Sequence, residues 1–171
     1  VTIPQIDCGT STDNRFRWLN WLGHVMIKSV SIDIGGHEID KHYSEWLHIW
    51  NELTQKTGCK EGYASAVGNV PRLTQVIRGN ASASTTITSQ STLDAQGAMP
   101  SVILHIPLQF WFCRSPGLAI PLIALQVHEV TINVEFRDAS ECCWATGKYY
   151  TTPPVLTSAL LYCDYIYLDT A

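Results

Sequence analysis

Apolar residues occupy every second position in three stretches of the chain, over 30–34, 102–112 and 130–136. Alternation with a period of two is typical of a β-strand that buries one face and exposes the other. The stretch 102–112 has the longest alternation, and Pro107 predicts a bulge or a sheet edge inside it. A fourth stretch, 158–170, is apolar and aromatic on both of the faces that a strand would have. It is predicted to form a strand that is covered on both faces.

Two consecutive glycines, Gly35 and Gly36, directly follow the first alternating stretch. Glycine adopts positive φ angles at little cost, and tight hairpin turns require such angles. The pair therefore predicts a hairpin turn, with 37–43 as the returning strand.

One amphipathic helix is predicted at about 44–55. Ser44 occupies the expected N-cap position, and Glu45 lies in the first turn, where a negative charge is favourable. Apolar residues then recur at i, i+3, i+4 and i+7, which predicts a buried stripe. The stripe consists of Trp46, Ile49, Trp50 and Leu53.

Two long connections differ in character. Residues 79–101 are small, polar and almost uncharged, which predicts a surface excursion with a short edge strand around 85–89. Residues 115–125 contain Pro and Gly but are mostly apolar, which predicts a loop that packs against another surface. Pro121 interrupts this apolar run, and the run is far shorter than the roughly 20 residues of a membrane-spanning helix.

Several strands, Gly/Pro turns, long connections and a single helix predict an all-β fold, an antiparallel β-sandwich of jelly-roll type. At 171 residues, one domain is expected over 1–171. The chain begins with Val and shows neither an initiator Met nor a signal peptide, which suggests a fragment of a longer protein.

Charge argues against direct binding of nucleic acid. Eleven Lys and Arg residues stand against fifteen Asp and Glu residues, giving a net charge of −4 with no basic block. A phosphate backbone is bound chiefly by clustered cations, which this chain lacks.

The six cysteines allow two alternatives, three disulfides or six reduced thiols. They show no C-x-x-C spacing, and two of them are adjacent in sequence. Reduced thiols are favoured because a chain this rich in apolar residues can form a core without cross-links. The cysteines are Cys8, Cys59, Cys113, Cys142, Cys143 and Cys163.

The best candidate for a metal site is the group His37, Glu38, Asp40 and His42 on the returning strand. The spacing places three of these residues on one face, so a site is conceivable, but a solvated strand face is the favoured interpretation. No His has another His two residues away, which disfavours the metal site of cupin enzymes. We predict no metal site.

Catalysis has no better support. Ser115 lacks the flanking glycines of a nucleophile elbow, and no glycine-rich phosphate loop is present. No catalytic residue and no cofactor are predicted. Six Trp residues leave open a carbohydrate-binding module of jelly-roll type. Asn80 begins an N-x-S/T sequon in the polar excursion, which makes it the candidate glycosylation site.

Three long strings of the chain resemble the major capsid protein of the nucleocytoplasmic large DNA viruses, a double jelly-roll family. They are WLNWLGHVMIKSVSIDIGGHEIDKHYSEWLHIWNELT at 18–54, IPLQFWFCRSPGLAIPLIALQVHEVTINVEF at 106–136 and CDYIYLDT at 163–170. Together they cover a little under half of the chain, in the order and spacing of the family's first jelly roll. The resemblance implies the N-terminal jelly roll, without its first strand or two and without the second roll.

The resemblance also implies a structural function. Family members form trimers with pseudo-hexagonal outlines that tile an icosahedral shell together with minor capsid proteins. The shell is assembled in the host cytoplasm, usually around an internal membrane. The loop at 115–125 becomes a candidate subunit interface or inter-roll segment, the alternative being that it packs inside its own jelly roll. Its candidate residues are Ser115, Pro116, Gly117, Leu118, Ile120, Pro121 and Leu122.

Overall fold

A computed structural model describes residues 1–11, 13–79, 97–147 and 155–167. Within these ranges ten strands and four α-helices alternate with short 3₁₀ turns. The strands are β1 (Thr2–Ile3), β2 (Ile6–Asp7), β3 (Arg15–Trp18), β4 (Ile27–Ile34), β5 (His37–Tyr43), β6 (Ile77–Arg78), β7 (Ala98–Met99), β8 (Val102–Ile103), β9 (Val130–Phe136) and β10 (Cys143–Thr146). The helices are α1 (Leu22–Met26), α2 (Ser44–Thr54), α3 (Lys60–Ala66) and α4 (Pro71–Thr74).

The longest strands form a three-stranded antiparallel sheet in the order β5-β4-β9. The central strand β4 pairs with β5 across the hairpin and with β9 from the second half of the chain. Val30 and Ile32 of β4 are fully buried on one face. The predicted strands at 30–34, 37–43 and 130–136 are therefore present.

Gly35 and Gly36 lie in the turn between β4 and β5, with φ angles of 60° and 82°. The amide of Gly35 donates to the carbonyl oxygen of Glu129, 3.0 Å away, which joins the turn to the segment before β9. A Cβ atom at Gly35 would come within 2.7 Å of Nδ1 of His128. Both backbone angle and close packing therefore require glycine at position 35.

A second three-stranded sheet has the order β10-β3-β6, and two strand pairs, β1-β8 and β2-β7, complete the ladders in the described residues. All of these pairs are antiparallel. Phe16 and Trp18 of β3 point inward and contact each other edge to face. Around them lies the first core, whose other fully buried members include Ile3, Leu22, Leu73, Ile77, Met99 and Leu104.

A second, smaller core lies between β4, α2 and the segment after β8. Its buried members are Ile27, Val30, Ile32, Leu47 and Phe110. The aromatic ring of Phe110 stacks on that of Phe112, with ring centroids 5.4 Å apart. Most of the remaining apolar side chains that pack here, including those of β9, are only partly buried.

The predicted helix exists as α2, but two details of the prediction are wrong. The N-cap is Tyr43, and Ser44 is the first helical residue, a shift of one position that is common at helix ends. The buried side is formed by Ser44, Leu47 and Asn51. The helix is rotated away from the predicted stripe because Leu47 enters the second core, while Trp46 and Trp50 contact each other at its flank. The short helices α1, α3 and α4 were not predicted.

The stretch 102–112 is a strand only at β8, so the prediction is wrong beyond Ile103. Burial still alternates, since Leu104 and Phe110 are fully buried and their neighbours are more exposed. Pro107 has no amide to donate, and the amides of Leu104 and His105 bond to the carbonyl oxygens of Val1 and Ala66 rather than to a continuous neighbouring strand. The segment then enters a 3₁₀ turn at Trp111–Cys113.

The stretch 158–170 was predicted to be a strand covered on both faces, and this is wrong for its described part. Ser158 makes an isolated antiparallel bridge to Thr2, and 159–167 form no strand and are exposed. The polar excursion ends earlier than predicted, because Ala98 and Met99 are buried in β7. Its predicted strand at 85–89 and Asn80 lie outside the described residues.

Candidate functional site

The candidate metal cluster divides between the core and the surface. His42 is buried and stacks on Phe110, with ring centroids 4.8 Å apart, so the predicted solvated face is wrong at this position. Its Nε2 lies 3.2 Å from Oδ2 of Asp40, and burial lowers the pKa of the imidazole. His37 and Glu38 are exposed. In the described ranges no three His, Cys, Asp or Glu side chains are grouped to hold a metal ion.

A second polar cluster, which the sequence did not reveal, joins α1, α2 and α3. His24 of α1 is buried, and its Nε2 lies 2.8 Å from the hydroxyl of Tyr63. Its ring stacks on Trp21 and contacts His48. Burial, reinforced by the neighbouring His48, lowers the pKa of His24 to about 4. A neutral, hydrogen-bonded imidazole of this kind joins the packing of three helices.

All six cysteines are free thiols in the structure. Burial raises the pKa of Cys8 to about 12 and that of Cys142 to about 11. A thiol reacts as its thiolate, so these two groups are unreactive at neutral pH. Cys8 packs in the first core among the apolar side chains.

The apolar loop 115–125 lies at the surface. Two 3₁₀ turns, Pro116–Leu118 and Leu122–Leu125, give it a defined backbone. Leu118 and Leu122 are about half exposed, and Ile123 is 79% exposed. The predicted interface residues are thus brought together on one connection, with their larger side chains facing outward. Ile120 alone packs against the second core.

Local hydrogen bonds hold this loop in shape. The amide of Leu118 donates to the carbonyl oxygen of Ser115 at 3.0 Å, and that of Ala124 donates to Pro121 at 2.9 Å. Arg114 precedes the loop, and its guanidinium lies 4.3 Å from the ring centroid of Trp50 in α2. The loop is therefore tied to the helix by a cation–π contact.

A second exposed apolar segment is 155–167, and its Cys163 lies near Cys113, which precedes the loop. Cys163 is close enough to Cys113 to contribute, after burial, to the raised pKa of the Cys113 thiol. Most of the larger side chains of the segment are more than half exposed. They are Val155, Leu160, Leu161, Tyr162, Tyr165, Ile166 and Tyr167. We refer to 115–125 and 155–167 together as the apolar surface.

Helix α2 adds further exposed apolar side chains that were predicted to be buried. Ile49 is half exposed and Leu53 is 77% exposed. The helical period shows that these apolar residues share one side of α2. It does not show whether that side faces the core. No signal within the helix itself could have supplied this direction.

Comparison with known proteins places these features in a family. Residues 1–169 match the sequence profile of the family described as "Major capsid protein N-terminus". The chain is 40% identical over 183 residues to the major capsid protein of Phaeocystis pouchetii virus, covering 99% of this chain and 35% of that protein. It is 49% identical over 150 residues to the major capsid protein of Pyramimonas orientalis virus, covering 88% of this chain and 32% of that protein.

Capsid protein 1 of Acanthamoeba polyphaga mimivirus is 37% identical over 176 residues, covering 99% of this chain and 28% of that protein. The chain thus spans about a third of the length of the curated relatives it matches. A solved structure, described as PBCV-1 VP54 fitted into a cryo-EM reconstruction of the virophage Sputnik, is similar with a TM-score of 0.50 and 23% identity. The match covers 79% of this chain and 28% of that one. It supports the predicted jelly-roll fold.

Proposed function

Because this chain belongs to the family of major capsid protein N-terminal domains, we propose that it is part of a structural subunit of a viral capsid. Three copies of the whole protein form a pseudo-hexagonal capsomer, and capsomers tile an icosahedral shell. The function is carried by surfaces and geometry. No bond is made or broken, and no cofactor takes part.

The observation that carries this proposal is the apolar surface. Its large apolar side chains are exposed in the isolated domain, and such side chains on a soluble protein often mark a protein–protein interaction site. Obligate subunit interfaces are the surfaces at which such side chains are expected. Leu118 and Leu122 on the loop, together with Tyr162 and Tyr167 on the second segment, supply large apolar side chains for such an interface.

The loop 115–125 is the proposed subunit interface or inter-roll contact. Its two 3₁₀ turns supply a backbone that is ordered before association, so little conformational entropy is lost when a neighbour packs on it. Ile120 anchors the loop to its own domain from below. The alternative of purely internal packing is supported for Ile120 and disfavoured for Leu118 and Leu122, which face outward.

The domain itself is proposed to be one incomplete jelly roll. Strand β9 is at the edge of its sheet, and Val134 on its inner face remains 38% exposed although it is directly opposite the buried Val30. An edge strand with a half-covered apolar face is expected to gain a neighbour. Further strands of the whole protein, including its second jelly roll, would supply this cover.

Light scattering after size-exclusion chromatography of the full-length protein tests the proposal. We expect the wild type to be a trimer, and Leu118→Asp combined with Leu122→Asp to yield monomers, because two carboxylates in an apolar interface would lose their hydration. The matched control is Leu53→Asp on α2, where an even more exposed leucine lies outside the loop. The control should remain a trimer.

Circular dichroism and the midpoint of urea unfolding establish that each variant is folded. A monomeric wild type would contradict the capsid function itself. A trimeric wild type whose loop variants also remain trimers would contradict only the assignment of the interface to 115–125. Negative-stain electron microscopy of the trimer should show a pseudo-hexagonal outline.

Other parts of the proposal follow from the relatives' type of protein. The polar excursion that follows β6, without the buried β7, would face the outside of the shell, with Asn80 as its candidate glycan attachment site. Minor capsid proteins would contact the edges of the capsomer. Assembly would take place in the host cytoplasm around an internal membrane. Mass spectrometry of proteolytic peptides from purified virions would detect a glycan at Asn80 as added hexose mass on its peptide.

A further inference from the structure

The outer face of the sheet β10-β3-β6 has an unusual composition. Phe16 and Trp18 of β3 point into the core. Arg15 and Arg17 alternate with them along the strand and therefore lie on the opposite face. On β10, Trp144 is directly opposite Arg17, and Thr146 is opposite Arg15. The face therefore presents guanidinium groups beside an indole ring.

A third arginine belongs to the same face. Arg78 of β6 is directly opposite Arg15 in the ladder. Side chains directly opposite each other have Cβ atoms about 4.5–5.5 Å apart, so two like charges at such a position repel each other. Neither guanidinium has a carboxylate within 4 Å among the described residues. The fold thus places two like charges opposite each other on an exposed face.

The two arginines line a concave site. Arg15, Val76, Arg78 and Trp144 surround an open cavity of about 510 Å³. Trp144 is 39% exposed, so part of one indole face is accessible from solvent. Among the described residues of this lining, the polar side-chain groups are hydrogen-bond donors only, since guanidinium and indole groups carry no acceptor.

We propose that this face is the docking site for an acidic segment of a partner protein, with a carboxylate between Arg15 and Arg78 and the adjacent side chain on Trp144. Two guanidinium groups side by side offer the oxygens of a carboxylate more charge-assisted hydrogen bonds than a single cation does. A bound carboxylate also removes the repulsion between the two arginines. Val76 and Trp144 then contact the aliphatic part of the segment.

The same features disfavour other occupants. Sugar hydroxyls donate as well as accept hydrogen bonds, and this lining offers them no side-chain acceptor. Nucleic acids and sulfated polymers are held by many cations along a track, whereas this face has three arginines on a chain with a net charge of −4. The site has enough positive charge to neutralise one or two carboxylates of a polypeptide.

Fluorescence anisotropy with the full-length protein tests the docking site. The probe is a fluorescein-labelled peptide of alternating Glu and Leu residues, and the control peptide carries Gln in place of Glu. We expect the Glu/Leu peptide to bind, and Arg15→Gln combined with Arg78→Gln to weaken it at least about tenfold, because two charge-assisted contacts are lost. Trp144→Ala, which keeps both guanidinium groups, should weaken it by about threefold to tenfold.

The matched control is Lys56→Gln, which removes one exposed positive charge outside this face and should leave binding unchanged. A charge-reversed variant, Arg15→Glu with Arg78→Glu, should lose the Glu/Leu peptide and gain a Lys/Leu peptide. Circular dichroism of each variant verifies folding. If the arginine variant fails to fold, Trp144→Ala and the Gln peptide still test whether this face binds the acidic peptide.

Three outcomes would overturn the proposal. The first is equal binding of the Glu/Leu and Gln/Leu peptides. The second is an equal loss of binding in Lys56→Gln, which would reveal a general charge effect. The third is stronger binding of heparin or of a single-stranded oligonucleotide with the same dependence on Arg15 and Arg78, which would assign the face to a polyanion.

Discussion

The two cores of this domain are built from similar sequence patterns, but they differ in how completely their apolar side chains are buried. In the first core, β3 is flanked by β6 and β10, and the side chains of Phe16, Leu22 and Leu73 are completely buried. In the second core, β4 is also flanked on both sides, yet most of the apolar side chains of β9 and of the segment 106–112 remain partly exposed. The same apolar alternation therefore gives a closed core in one half and an open one in the other.

The difference shows what alternation does and does not encode. A period of two tells which side of a strand is apolar, but it does not tell whether the chain itself supplies the cover. Where the cover is present, as for the completely buried Phe16, the core is closed by the chain itself. Where it is missing, as for the loop 115–125, the exposed apolar side chains are available to a neighbour. This division agrees with a subunit that completes itself on assembly.

The largest expected effect comes from a pair of matched leucines, one in each half. Leu73→Ala should lower the free energy of unfolding by about 2–5 kcal/mol, because Leu73 is completely buried and its removal leaves a cavity. Leu122→Ala should lower it by less than about 1 kcal/mol, because Leu122 is half exposed. Urea unfolding of both variants measures the difference. Equal losses of stability in the two variants would mean that the second core is as closed as the first core.

The junction of the two halves should be sensitive to acid. The folded-state pKa of His24 is about 4, below its ordinary value of 6.5. Between these pH values the unfolded chain binds a proton that the folded protein excludes, so stability present above pH 6.5 is lost as the pH falls toward 4. From pH 7 to pH 5 this group should reduce the free energy of unfolding by about 2 kcal/mol.

His24→Gln should remove that part of the pH dependence, whatever its effect on stability at neutral pH. The control is His37→Gln, which replaces an exposed imidazole on β5. Urea unfolding at both pH values, with each variant, measures the change. An unchanged acid loss in His24→Gln would show that the contact between α1 and α2 does not depend on a neutral imidazole.

A smaller effect separates turn geometry from packing in the hairpin of the open half. Gly35→Ala should cost about 2 kcal/mol, because it combines a positive φ with a contact of 2.7 Å between the new Cβ and His128. Gly36→Ala should cost about 1 kcal/mol, because its φ is also positive but nothing lies within 4 Å. Thermal unfolding gives both values. If the two costs are equal, His128 moves aside and the packing is loose.

Local features of this fold were predictable, and features that join distant segments were not. Gly35 and Gly36 indicated a turn, and the alternation at 130–136 indicated β9, because each pattern is complete within a few residues. The burial of His24 depends on Tyr63, thirty-nine positions away. For 104–112, pairing depends on a neighbouring strand that alternation cannot reveal. The candidate loop 115–125 was found because apolar residues beside Pro and Gly are locally unusual.

The smallest expected effect concerns the outside of the closed half, where Arg15 and Arg78 are directly opposite each other. Arg78→Thr should raise the free energy of unfolding by about 0.2–1 kcal/mol, because it removes a like-charge pair and introduces a residue favourable in strands. Arg17→Thr is the control, since Arg17 is opposite Trp144 and its loss relieves no direct repulsion. The gain should shrink in 1 M NaCl, where charges are screened within about 3 Å. A destabilised Arg78→Thr protein, independent of salt, would mean that Arg78 supports the sheet itself and that the closed half extends to its outer face.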